Sequence, residues 1–176
     1  MSFSAIKEVE RIYSYMMPDD EWQLYTGKKP TAQLTLACCG ATAVCVEKKD
    51  LRYFDHPKDS DCHLRHLSNA DLIKNKMIVI KALLNSGWQV QTDMEIEDLF
   101  LIDIYATKNN SKLAVQLNYD LKIDGVAYKA LKEKDIKKAT KDALEKHGIK
   151  VLWLVEIPEK SIKSSLAETL QAYNKH

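Results

Sequence analysis

Glycine is scarce in this chain: five residues in 176, none in a G-x-G arrangement. That excludes a glycine-rich loop whose backbone amides could cradle phosphates, so nucleotide-dependent chemistry lacks its usual signature. Long apolar runs are also missing. None approaches the roughly 18–20 residues needed to cross a bilayer, and no membrane association is expected. The opening MSFSAIKEVERIYSYMM carries acids early and has no apolar h-region, which predicts no secretory signal. Nor is there an excess of one charge: the net value is +1, so no whole-molecule field announces a nucleic-acid binder and any basic surface must be local. No order of Ser, His and Asp supports a nucleophilic triad. The four cysteines, Cys38, Cys39, Cys45 and Cys62, contain no C-x-x-C pair. Adjacent cysteines make a poor disulfide framework, so reduced thiols and a cytoplasmic location are expected.

What is present reads as globular. The chain is 45% apolar and 29% charged, a balance that supports a packed core rather than disorder. Residues 4–17 place Ile6, Val9, Ile12, Tyr13 and Met16 at helical spacing, with Ser4 as N-cap and Pro18 as the stop. TAQLTLACCGATAVCVEKKDLRYF, residues 31–54, is rich in β-formers and broken at Gly40 and at Lys48 to Asp50, which predicts two or three short strands. A polar loop with Pro57 and three histidines follows. Ser68 or Asn69 can cap a helix through Ile73, Met77, Ile80 and Leu84, ended by Gly87. Then come three strands, from Trp88 to Met94, around Asp103, and from Lys112 to Asn118, with turns at Glu97-Asp98 and Asn109-Asn110. Asp135 to Leu144 predicts a basic helix ended by Gly148. Its lysines, among them Lys137, Lys138 and Lys141, could meet phosphates, but interspersed acids fit a solvated face better. Ile149 to Ile157 (IKVLWLVEI) is the near-continuous apolar pattern of a strand at a sheet centre. A last amphipathic helix begins at Ser161.

The order from residue 69 is therefore helix, three strands, helix, strand, helix. Three antiparallel strands followed by a right-handed parallel crossover would give a mixed sheet flanked by helices. The expected organisation is a small N-terminal α+β Cys/His-containing region over residues 1–67 and an α/β domain over residues 68–176. A central place for Val151 to Val155 is what this architecture asks of its last strand.

The chemistry concentrates in LFLIDIYATKNNSKLAVQLN, residues 99–118. Asp103 interrupts an apolar strand, and burying an acid is costly unless it is paired or bound to a metal. By strand parity Gln116 and Asn118 share a face, and they can meet Asp103 across the hairpin. Asp120, two residues on, could supply a second carboxylate. Glu95 and Glu97 are less well placed. For zinc, the candidates are Cys38, Cys39, Cys45, His56, Cys62, His63 and His66. Cys62 and His66 lie one helical turn apart. Against zinc stands the missing C-x-x-C pair: Cys38, Cys39 and Cys45 can equally be small buried residues of strands, with the histidines on a surface loop. Trp22 and Tyr25 read as satellite packing, and Trp153 as core.

These residues resemble two related patterns. The Asp103 hairpin resembles the catalytic hairpin of the PD-(D/E)XK nucleases, whose second carboxylate and lysine are replaced here by amides. More broadly, CCGATAVCVEKKDLRYFDH, SNADLIKNKMIVIKALLNSGWQVQTD, LIDIYATKNNSKLAVQLN and HGIKVLWLVE are similar, in order and spacing, to the competence protein CoiA-like family, from about Thr35 to Glu156. The resemblance implies a restriction-endonuclease-like core acting on DNA with Mg²⁺. Asp103 matches the family's aspartate. Gln116 stands where that family has Glu, and Asn118 where it has Gln. Cys39 and His56 match the family's cysteine-glycine stretch and its aromatic-x-His element (Phe54, Asp55, His56), while Leu36 occupies the place of a further cysteine. The implied sites are Asp103, Gln116, Asn118 and Asp120 for Mg²⁺-dependent hydrolysis, and Cys39, His56, Cys62 and His66 for Zn²⁺. One acid and two amides hold and activate Mg²⁺ weakly, which points to weak or lost phosphodiester hydrolysis. An active nuclease with a repositioned carboxylate, or a non-catalytic protein-interaction module, are the alternatives.

Overall fold

A computed structural model describes residues 2–26, 32–62, 70–96, 100–117, 122–123, 126–127, 133–154 and 159–173. The chain divides into two compact units, Met1–Ile73 and Lys74–His176.

The first unit opens with a hairpin, β1 (Ser4–Lys7) and β2 (Glu10–Tyr13), paired from Ser4↔Tyr13 to Lys7↔Glu10. This corrects the helix expected over residues 4–17. The helical stripe would have buried Val9 and Met16, yet Val9 is 97% exposed at the hairpin tip and Met16 is 63% exposed. The buried residues cluster at the start of the hairpin instead: Phe3, Ser4 and Ala5 are all buried. Glu8 turns the chain at φ +57°. A short helix, α1 (Asp19–Tyr25), starts after Pro18 and buries Trp22 and Tyr25. Trp22 is fully buried and its Nε1–H donates to Glu47 Oε2 at 3.0 Å, so the indole is core rather than satellite. The expected strands of residues 31–54 appear as β3 (Val44–Lys48) and β4 (Leu51–Asp55), joined by a turn with Lys49 at φ +55°. Ala5, Met17, Trp22, Tyr25, Leu34, Leu36 and Phe54 form the core of this unit.

The second unit is built on α2 (Ala70–Asn85) and a four-stranded mixed sheet. Leu83 and Leu84 accept from Trp88 N–H (3.1 Å) and Gly87 N–H (2.9 Å), with Gly87 at φ +76°. This is the paired capping pattern that ends a helix on a left-handed glycine. The capping residues Ser68 and Asn69 lie outside the described residues. Next come β5 (Gln89–Ile96), β6 (Phe100–Lys108) and β7 (Ser111–Gln116), an antiparallel meander. Asn109, at φ +53°, forms the expected turn; Glu97-Asp98 falls outside the described residues. A small pair, β8 (Lys122–Ile123) and β9 (Val126–Ala127), lies within the connection that the sequence left unassigned. Helix α3 (Glu133–Lys146) leads through Gly148 into β10 (Ile149–Trp153), and α4 (Glu159–Tyr173) follows. Strand β10 runs parallel to β7, as a crossover through α3 requires.

The sheet order is β10-β7-β6-β5, which corrects one expectation: β10 is an edge strand of this sheet, not its centre. Its apolar run has a different cause. Leu144 of α3 packs with Ile149 and Val151, together with Ile102 and Ala114. Lys137 of α3 lies over Trp153 (5.9 Å), and Lys150 over Tyr173 of α4 (4.7 Å). Helix cover, rather than strands on both sides, makes the run apolar.

Gly87→Ala tests the helix stop. A Cβ there would meet only Lys108 Cε at 4.0 Å, so the cost is conformational. The expected loss is about 1–2 kcal/mol, read as a lower denaturant midpoint at unchanged slope. Gly87→Asn, which tolerates the left-handed region, should lose less.

Candidate functional site

Two clusters of chemically capable side chains stand out, one in each unit. In the second unit they form a row across the sheet. Strand β6 pairs with β7 at Ile104↔Val115, which sets Asp103 opposite Gln116 at the next position. It pairs with β5 at Thr92↔Ile104 and Met94↔Ile102, which sets Asp93 opposite Asp103 between them. That rung is skipped, because Asp93 holds φ +54°, a conformation costly for a residue with a Cβ. The row is therefore Asp93, Asp103, Gln116.

Hydrogen bonds fix its centre. Gln116 Oε1 accepts from Asp103 N–H at 2.7 Å, and Asp103 Oδ2 accepts from Leu117 N–H at 2.8 Å. Both acid and amide are buried, at 8% and 1% exposure. The amide oxygen of Gln116 thus serves the backbone of β6. Its usefulness as a ligand for an added ion is correspondingly reduced.

The remaining member comes from α2. Lys76 Nζ lies 2.6 Å from Asp103 Oδ1 and 3.2 Å from Asp93 Oδ1, and the lysine is buried. Burial alone would pull its ammonium down. The charges and hydrogen bonds of Asp103 and Asp93 more than reverse this, leaving it above the ordinary lysine value of 10.5. With Gln at position 116, the ammonium faces two carboxylates in the row rather than three.

The structure thus brings Asp103 and Gln116 together, while Asn118 and Asp120 lie outside the described residues. Sequence reasoning missed Lys76 and Asp93. The signal for Lys76 was its place three residues after Ile73 and four before Ile80, on the apolar stripe of the helix. A lysine there must find a carboxylate. Asp93 became visible only with the register, since its partner across the sheet is ten residues further along the chain.

In the first unit, Cys38, Cys39, His56 and Cys62 each offer a ligand atom, and all four atoms lie within 4.8 Å of one another. This group could hold a metal ion. A tight turn positions the first pair: Leu36 C=O accepts from Cys39 N–H (3.3 Å) and Gly40 N–H (2.8 Å), with Gly40 at φ +70°. His56 follows β4 directly, its N–H held by Asp55 Oδ1 at 2.9 Å. A further turn, Ser60 N–H to Pro57 C=O at 3.1 Å, returns the chain to Cys62. Cys38 Sγ then sits 3.8 Å from Cys39 Sγ, 3.9 Å from Cys62 Sγ and 3.3 Å from His56 Nε2. Burial, then the neighbouring Cys62 and Cys39, push the Cys38 thiol well above its usual range.

Four of the expected zinc candidates, Cys38, Cys39, His56 and Cys62, are therefore gathered. Of the set implied by the resemblance, Cys39, His56 and Cys62 are among them, and His63 and His66 lie outside the described residues. The alternative of buried apolar cysteines and surface histidines is corrected in part. Cys38 and Cys39 are exposed, and His56 is buried at 8% exposure. Only Cys45 fits the apolar description: it packs against the core of its unit, and burial raises its thiol to about 11. The missing C-x-x-C pair counted against these residues, yet a turn lets two adjacent sulfurs converge as a strand does not.

Removing the lysine should expose the cost of the acid row. Lys76→Met leaves two carboxylates without their ammonium and is expected to destabilise by about 3–5 kcal/mol. Adding Asp93→Asn should recover part of the loss. The folded-state value of Lys76 is raised, so its contribution is complete below about pH 10.5 and is lost as pH climbs through the folded value. The stability difference between wild type and Lys76→Met, measured by denaturant, should therefore stay level from pH 7 to 9.

No family model matches the chain, and neither does any curated protein or solved structure compared with it.

Proposed function

We propose that this chain is a nucleic-acid-associated protein of nuclease-like architecture, of the competence CoiA-like type, acting on or binding DNA with phosphodiester hydrolysis weak or lost. One observation carries the reading: the Lys76 ammonium occupies the place between Asp93 and Asp103 where a divalent cation would be gathered. Mg²⁺ needs charged oxygen ligands and keeps several waters. Here Asp103 spends one oxygen on Lys76 and the other on Leu117 N–H, and Gln116 spends its oxygen on Asp103 N–H. An entering ion would have to break a buried ion pair first. The nuclease-like architecture is supported by connectivity: a helix, three antiparallel strands, a second helix and a parallel strand. The edge position of β10 withdraws the support that a central last strand would have added.

In the first unit we read the ion as Zn²⁺, because three sulfurs and one imidazole are its characteristic donors.

A second reading, an active Mg²⁺-dependent nuclease, is favoured by Asp93. It supplies a second carboxylate beside Asp103 without Asp120, and Lys76 would be the lysine of such a centre. A non-catalytic protein-interaction module is the third.

The test is cleavage of linear double-stranded and single-stranded DNA with Mg²⁺ or Mn²⁺. The expected result is none above the metal-free background, alongside salt-sensitive binding of the same DNA. Robust cleavage that disappears in both Asp103→Ala and Asp93→Asn would establish the second reading. Neither cleavage nor binding would leave the interaction module.

A further inference from the structure

We infer that Cys38, Cys39, His56 and Cys62 form a closed, four-ligand zinc centre on which the order of the first unit's ligand-bearing segment depends. This rests on the reading of the ion as zinc and adds its ligands and its role.

The geometry is that of an ion's first coordination sphere. Zinc–sulfur bonds of about 2.3 Å in a tetrahedron set neighbouring sulfurs about 3.8 Å apart, and a sulfur and a nitrogen about 3.5 Å apart. The observed separations are 3.8 and 3.9 Å between sulfurs and 3.3 Å from Cys38 Sγ to His56 Nε2. Three edges that meet at Cys38 therefore lie within about 0.2 Å of those of a zinc tetrahedron, and all four ligand atoms lie within 4.8 Å of one another. Zinc takes such sulfurs as thiolates and releases their protons.

Four protein donors leave no position for water or substrate, which is the arrangement of a structural rather than a catalytic ion. Cys38 and Cys39 are exposed on a turn, and Cys62 follows Ser60, whose N–H donates to Pro57 C=O and whose hydroxyl accepts from Cys62 N–H. His56, by contrast, is anchored at the end of β4 beside the buried Phe54. The ion would tie the turn at Cys38 and Cys39 and the segment at Cys62 to that anchored strand.

The test uses the full chain as purified. X-ray absorption at the zinc edge of the wild-type protein should give one zinc per chain with three sulfurs near 2.3 Å and one nitrogen near 2.0–2.1 Å. Cys38→Ser and Cys62→Ser should each lose the ion, whereas Cys45→Ser and His66→Ala should retain it. Stripping the metal with a chelator should raise amide exchange in residues 36–62 while β5–β7 keep their protection. A protein with no zinc that takes up none when supplied would end both the zinc reading and this inference. Zinc that is retained in Cys38→Ser but lost in His66→Ala, or a wild-type spectrum with fewer than three sulfurs, would leave the zinc reading standing and overturn this ligand set. Chelation with unchanged exchange in residues 36–62 would overturn the structural role.

Discussion

One buried ammonium decides what the four-stranded sheet can tolerate. Asp93 and Asp103 face each other on adjacent strands, and like charges directly opposite are destabilising. Lys76 reaches both from α2 and turns a repulsion into an attraction. The consequence spreads outward. Helix α2 is held against the sheet at one point by charge, in addition to its apolar stripe. Asp103 is then aimed so that its other oxygen accepts from Leu117 N–H, and Gln116 holds Asp103 from the backbone side. An amide suits position 116 because a carboxylate there would ask the same ammonium to balance a third charge.

The two units solve a common problem in opposite ways. Each collects groups that repel when ionised: carboxylates in one, thiolates in the other. The second unit carries its own cation, built into the chain as Lys76. The first has no lysine or arginine among the four gathered ligands, and its donors are soft sulfurs and an imidazole. Such a set has its best partner outside the chain. The lysine supplies the second unit's counter-charge from within the chain, while the first unit's is expected to follow metal supply.

Much of the second unit was legible because its signals are periodic or sharply punctuated. The stripe of α2, the glycine stop at Gly87, the Asn109-Asn110 turn and the parity linking Asp103 to Gln116 all appear as the pattern implies. The failures have physical causes. Val9 and Met16 imitate a helical stripe, but they lie at exposed positions of a hairpin segment whose buried residues include Phe3, Ser4 and Ala5. The apolar run at Ile149 could not distinguish strand neighbours from helix cover. Lys76 was hidden by its own charge among apolar neighbours, and Asp93 by a register that sequence does not print. In the first unit the residue types of the thiol cluster were visible, but pairing them required the turn at Gly40. The adjacency of Cys38 and Cys39, which counted against a framework of disulfides, is what that turn exploits.

The thiol cluster is also compact along the chain. Cys38 and Cys62, its outermost members, are only 24 positions apart. Loop-closure entropy grows slowly with length, so a short span is closed at modest cost. An ion could therefore be captured by a local segment, without waiting for distant strands to pair. During synthesis the entire donor set emerges before any residue of α2, so the proposed ion could be captured while the acid row of the second unit is still being translated.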